Sequence, residues 1–164
     1  MVNNLKFKNE NALLKQLAYV FLVENSTSKS IQIASSVYDQ DFDVSEEVES
    51  LLVQLWSTKE EKFIYLLFKN ALISHQFEHD VHIYVVAMLF KFRQISLGEV
   101  AKFLDFEVGS KYSDLDEYMR KLIDVSWLVN EDIKDNVMQP HDDGLLEEAL
   151  LLVANNSNFK LNVD

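Results

Sequence analysis

The chain has 164 residues, of which 48% are apolar and 11 are Phe, so it can bury one sizeable core but is too short for two ordinary domains. It has no Cys, which excludes disulfides, thiolate metal sites and a cysteine nucleophile. No apolar run approaches the ~20 residues that span a bilayer, and the N-terminus lacks a signal-peptide pattern; we therefore expect a soluble protein of the cytoplasm, the nucleus or both.

Five helices are predicted in the first part of the chain. The chain has one Pro and three Gly, and before Gly98 its apolar residues recur mostly three and four positions apart, which is typical of helices. The predicted helices cover residues 10–23, 28–38, 44–55, 59–73 and 80–92, with Asp43 and Glu46 as an N-cap pair for the third. Short polar links join them, so we expect a stack of antiparallel helical pairs.

A different pattern begins at Gln94. Ser96 and Glu99 have the form of a capping box that opens a short helix, and Ser113 is expected to start a second one. The runs Trp127–Val129 and Asn136–Met138 predict two short strands around a polar turn. Two helices followed by a hairpin predict a winged helix, which Pro140 would end.

The last predicted helix, residues 145–154, is apolar around well over half of its circumference. Packing against one core needs a narrower apolar stripe. We therefore expect a surplus face, including Leu150 or Leu151, to bind a partner. The alternative is that this helix is clamped between the helical stack and the winged helix of its own chain.

Charge argues against a nucleic-acid partner. Residues 1–93 carry 12 acidic and 9 basic side chains, whereas residues 94–164 carry 15 and 6. The second helix of the predicted winged helix would present Asp114, Asp116, Glu117 and Asp124 against Arg120 and Lys121. A surface of this sign repels the phosphate backbone, which clustered Lys and Arg bind.

Three of the four histidines fall in one stretch, residues 74–82. His75, Glu78 and His79 have the spacing H-x-x-E-H of a zinc-peptidase class, which needs one unbroken helix and a further ligand. The apolar periodicity stops between Ile73 and Val81, so the stretch predicts a turn. We expect no catalytic residue, cofactor or dedicated metal site, and His75, His79 and His82 are candidates only for adventitious metal binding.

The segments ISLGEVAKFLDF (95–106) and WLVNEDIKDNVMQP (127–140) resemble the PCI family. The similar subgroup contains signalosome subunit eight, the matching proteasome-lid subunit and subunit k of initiation factor three. The matching positions are Ile95, Val100, Ala101, Leu104, Trp127, Val129, Asn130, Val137 and Pro140. The departures are Ser126, where the family has Gly before the Trp, and a shorter chain.

The resemblance implies a non-catalytic scaffold subunit of a PCI complex such as the COP9 signalosome or a lid-like assembly. Its fold would be mainly α and PCI-like, with a helical stack at residues 1–93, a winged helix at 94–140 and a C-terminal helix and tail at 141–164. Its partners would be other PCI-type subunits, with no small-molecule substrate, nucleic acid or membrane. The expected interaction residues are Trp127, Val129, Val137, Leu145, Leu146, Leu150, Leu151 and Val153.

Trp127 is also expected to fill a buried seam between the second helix of the winged helix and its sheet. Two other functions stay open at this point. One is a winged-helix regulator that contacts nucleic acid. The other is a zinc-dependent hydrolase using His75, Glu78 and His79.

Overall fold

The structure is a computed structural model that describes Phe7 and residues 9–37, 43–106, 109–134 and 142–157. The chain forms two compact units, one containing the described residues up to Phe77 and the other those from Glu78 onward. All regular structure in the described residues is helical, so the predicted mainly α class is confirmed. Each described helix is too short or too polar to cross a bilayer. The division into stack, winged helix and tail stays a prediction.

The first unit contains four α-helices among its described residues, and a π-helix directly extends the first. They are α1 (Glu10–Ala18), the π-helix (Tyr19–Val23), α2 (Thr27–Ser36), α3 (Glu46–Thr58) and α4 (Lys62–Ile73). α1 packs against α2 and α4, and α3 packs against α2 and α4. The four helices thus enclose one apolar interior.

Polar side chains begin three of these helices. Asn9, Ser26 and Ser45 each accept a hydrogen bond from the N–H three residues further on, at 2.9, 3.2 and 3.4 Å. Such caps satisfy donors that the first helical turn leaves without an intrahelical partner. The predicted N-cap pair of Asp43 and Glu46 is wrong, because Ser45 occupies the N-cap and Glu46 is already helical.

Four helix ends are followed by residues in the left-handed conformation. The residues and their φ values are Asn25 at 54°, Lys59 at 59°, His75 at 51° and Arg93 at 60°. Glycine favours this conformation because it has no Cβ, yet none of the three glycines occupies these positions. The positions of these helix ends therefore could not be predicted from glycine in the sequence.

The interior of the first unit is filled by aliphatic side chains and an aromatic cluster. Its largest fully buried residues are Leu13, Leu14, Leu17, Ile33, Leu52, Leu55, Ile64, Leu67, Phe68 and Leu72. The Phe21 ring meets the Tyr65 ring edge-on at 5.4 Å and lies 6.1 Å from the Phe68 ring, measured between centroids. The π-helix that carries Phe21 is therefore anchored to α4.

Glu10 joins three segments of the first unit. One carboxylate oxygen accepts the backbone N–H of Ser45 at 2.8 Å. The other accepts the side-chain amide of Gln76, and that amide also donates to Asn11 at 3.1 Å. These bonds tie the start of α1 to the segment before α3 and to the turn after α4.

The second unit is organised around one buried helix. Its helices are α5 (His79–Lys91), α6 (Leu97–Phe103), a 3-10 helix (Gly109–Asp114), α7 (Glu117–Lys134) and α8 (Asp142–Asn156). Every residue of α5 from Val81 to Leu89 is buried, and α5 packs against α6, α7 and α8. A helix that is buried on all sides forms the centre of a core.

The first strand of the predicted winged-helix hairpin is wrong. Trp127–Val129 lie inside α7, and so does most of the predicted turn, up to Lys134. The second predicted strand, Asn136–Met138, lies outside the described residues. No Gly or Pro interrupts residues 117–134, so nothing breaks the helix there. Its buried positions recur at intervals of three and four residues: Met119, Leu122, Ser126 and Val129.

The two predicted helix starts in this unit have different outcomes. The capping box is confirmed, because the Ser96 hydroxyl accepts the Glu99 N–H at 3.2 Å and the Glu99 carboxylate accepts the Ser96 N–H at 3.2 Å. The predicted start at Ser113 is wrong, since Ser113 belongs to the 3-10 helix. The Asp116 carboxylate instead accepts the Met119 N–H at 2.8 Å and caps α7.

Candidate interaction surface

α7 has a buried side and an exposed side. Val129 is 2% exposed, whereas Trp127 is 65% exposed and Leu128 is 44% exposed. Residues two apart on a helix are about 200° apart around its axis, so burying Val129 turns Trp127 outward. The prediction that Trp127 fills a buried seam is therefore wrong, and its large apolar ring is available at the surface.

Acidic side chains flank this exposed apolar pair. Asp124 lies about one helical turn before Trp127 and Leu128, and Glu131 lies about one turn after them. Residues three and four apart are neighbours on a helix surface. We call Asp124, Trp127, Leu128 and Glu131 the Trp127 surface. It is an apolar patch with negative charge at both ends.

Tyr112 fixes one of these acids. Its hydroxyl donates to the Asp124 carboxylate, whose two oxygens lie 2.8 and 3.0 Å away. This hydrogen bond raises the pKa of Tyr112; burial and the negative charge of Asp124 act in the same direction, and Arg120 opposes them. The bond holds the 3-10 helix to α7 and orients the carboxylate at one edge of the Trp127 surface.

α8 buries most of its predicted interaction residues within its own unit. Leu146, Leu150 and Val153 are buried, Leu151 is half-buried and Leu145 is 38% exposed. α8 packs against α5 and α7, which favours the alternative that this helix belongs to the core of its own chain. Of the other two expected interaction residues, Val129 is buried and Val137 lies outside the described residues.

The histidine stretch is divided by a turn, as predicted. α4 ends at Ile73, His75 is left-handed, and α5 begins only at His79. The unbroken helix that the zinc-peptidase spacing requires is thus missing. Within the described ranges, no three or more His, Asp and Glu side chains are grouped so that they could hold a metal ion.

Two of these histidines pack on one aromatic ring. The Phe106 ring lies 5.1 Å from the His79 ring and 4.8 Å from the His82 ring, between centroids. His82 is buried, and its Nε2 donates to the carbonyl oxygen of Phe103 at 2.7 Å. That carbonyl belongs to the last turn of α6, where helical carbonyls lack intrahelical donors. His82 therefore caps α6.

Leu128, Asp124 and Glu131 were not predicted as interaction residues. The sequence feature that indicates these residues is an acid three or four positions on either side of an apolar pair. This spacing is meaningful only when residues 117–134 are assigned to one helix, where such residues are neighbours. Treating Trp127–Val129 as a strand placed Trp127 and Val129 on one face and concealed this arrangement.

The chain was compared with protein-family models, with curated proteins and with solved structures. None of the three comparisons finds a match.

Proposed function

We propose that the chain is a non-catalytic scaffold subunit of a multi-subunit PCI-type complex, of the COP9 signalosome or lid-like kind. The support from sequence is the resemblance of residues 95–106 and 127–140 to that family. The support from structure is a packed helical unit followed by a second helical unit with an exposed apolar patch. The proposal does not need the predicted wing, because the patch lies on α7.

The observation that carries the proposal is the exposure of Trp127. Trp is usually mostly buried in a folded chain, and it is enriched in the anchors of protein interfaces. Its neighbour Leu128 is also exposed, so the two side chains form a contiguous apolar patch on a helix. Such patches on soluble proteins mark interaction surfaces. We infer that Trp127 and Leu128 are buried by another subunit in the complex.

The test is affinity purification of a tagged chain from the cells that make it, followed by mass spectrometry. We expect several PCI-domain subunits to co-purify with the unchanged chain. The double variant Trp127→Gln, Leu128→Gln should lose them, because it removes the apolar patch while keeping residues that favour a helix.

The matched control is Lys121→Gln, an exposed residue of the same helix about two turns before the patch. This variant should recover the same subunits as the unchanged chain. Recovery of no PCI-domain subunit by the unchanged chain would contradict the proposal. Recovery of the full set by the double variant would show that the Trp127 surface is not the contact.

A further inference from the structure

We propose that the Trp127 surface binds a basic amphipathic helix of a partner protein. The partner helix would place apolar side chains over Trp127 and Leu128, and Lys or Arg side chains beside Asp124 and Glu131. This inference rests on the proposed function as a protein-binding subunit, and it adds the chemistry of what is bound.

The sign of the charge around the patch decides the partner. The two acids of the Trp127 surface lie on either side of the apolar pair, and the described side chains between these acids include no Lys or Arg. The nearest described bases on α7, Arg120 and Lys121, lie about one turn before Asp124. An acidic partner would meet like charge at both ends of the apolar pair, whereas Lys and Arg would find complementary charge there.

The fixed position of Asp124 adds to this complementarity. Tyr112 holds the carboxylate by its hydroxyl, so the negative charge is held in place before a partner arrives. Less side-chain freedom is then lost on binding. The bond to a neutral hydroxyl leaves the charge of the carboxylate in place, so a cation can still pair with it.

The form of the surface favours a helix as the occupant. The apolar pair stands on a helix of 18 residues, and α7 packs against α8 to make an adjoining helical pair. Side chains of a third helix fit between the rows of side chains on such helices. An amphipathic helix offers one apolar stripe with charges beside it, which is the pattern that the Trp127 surface complements.

The test uses two synthetic peptides of about 15 residues, near the length at which isolated helices begin to hold in water. Both carry the same Leu stripe; one has Lys beside the stripe and the other has Glu. The chain has two Trp, so the Trp56→Phe variant makes Trp127 the only indole fluorophore. We expect the Lys peptide to shift Trp127 emission to shorter wavelength and to bind at least about tenfold more tightly than the Glu peptide in low salt.

Added salt and removal of the two acidic charges test whether the preference for the Lys peptide is electrostatic. At about 1 M salt, where charges are screened within ~3 Å, the preference should fall severalfold. The variant Asp124→Asn, Glu131→Gln should show the same loss in low salt. The matched control Glu117→Gln removes an exposed acid at the far end of α7 and should keep the preference.

Several results would overturn the inference. One is equal binding of the two peptides, or binding of neither. Another is a preference that survives Asp124→Asn, Glu131→Gln. A third is self-association of the chain in analytical ultracentrifugation that Trp127→Gln abolishes, since the occupant would then be a second copy. If the peptides fail while PCI-domain subunits still co-purify through Trp127, the proposed function stands without this partner chemistry.

Discussion

Trp127 and Val129 stand two residues apart on α7 and face opposite ways, with 65% of one side chain and 2% of the other exposed. In a strand they would share a face. The helical conformation of this segment therefore converts a residue expected in the core into one at the surface, and it changes which substitutions should affect folding.

Replacing Trp127 with Ala should leave the free energy of unfolding within about 0.5 kcal/mol, as for surface changes generally. Leu122 is fully buried on the same helix. Replacing Leu122 with Ala should lower the free energy of unfolding by about 2–5 kcal/mol, because apolar burial is lost and a cavity is left. Urea unfolding followed by circular dichroism measures both. A large loss with Trp127→Ala would show that this side chain is packed rather than exposed.

α8 offers a similar comparison between neighbouring turns. Leu150 is fully buried and Leu145 is substantially exposed, so Leu150→Ala should cost about 2–5 kcal/mol and Leu145→Ala about 0.5 kcal/mol. The two melting temperatures should separate clearly. Equal, small effects would mean that α8 does not pack on α5 and α7 in the isolated chain.

His82→Ala should lower the free energy of unfolding by about 2 kcal/mol, because it removes the donor to the Phe103 carbonyl and leaves a cavity beside Phe106. The control is His75→Asn, at an exposed left-handed position that Asn tolerates, and it should change stability by less than about 0.5 kcal/mol. Chemical denaturation compares them. Equal stability of His82→Ala and the unchanged chain would exclude a capping role.

Ser126 is buried on the inner side of α7, and within the described residues its hydroxyl has no hydrogen-bond partner. Ser126→Ala should therefore raise the free energy of unfolding by about 1 kcal/mol, since the buried hydroxyl is removed and Ala is the better helix former. The free energy of unfolding of Ser126→Gly should be about 1 kcal/mol lower than that of Ser126→Ala. A destabilised Ala variant would indicate that the hydroxyl is bonded.

The pKa of Tyr112 should lie above that of Tyr in an unfolded chain, because its hydroxyl donates to Asp124. Folding then favours the neutral phenol. The stabilising effect is complete below the ordinary pKa of about 10 and is lost as pH rises through the folded value. Tyrosine-resolved NMR titration should show Asp124→Ala lowering the pKa of Tyr112. The same substitution should leave the pKa of Tyr84 unchanged, because burial raises that pKa. An unchanged pKa of Tyr112 in the Asp124→Ala variant would contradict the assigned hydrogen bond.

Helices α2 and α5 follow from the sequence because their apolar spacing repeats clearly. Predicted helices at residues 28–38 and 80–92 correspond to α2 and α5 within two residues at each end. The continuation of the first predicted helix as a π-helix at Tyr19–Val23 does not follow, because a π-helix differs from an α-helix by its hydrogen-bond register and leaves the apolar pattern almost unchanged.

The error at Trp127–Val129 has a physical cause. Trp and Val favour strands locally, and a polar run follows them, so a short window predicts a hairpin. The helix is stabilised instead by burial of Leu122 and Val129 in packing that includes α5 and α8. Local preference gives way to such packing. The Trp127 surface could not be predicted until this conformation was known.

The left-handed residues that follow the helices have a consequence for engineering. Asn25, Lys59, His75 and Arg93 each hold a conformation that glycine adopts without steric cost. For a residue with a Cβ the cost is about 1 kcal/mol. Lys59 and Arg93 are exposed and lie outside the Trp127 surface. Replacing Lys59 or Arg93 with Gly is therefore expected to raise the melting temperature without altering the buried core or the Trp127 surface.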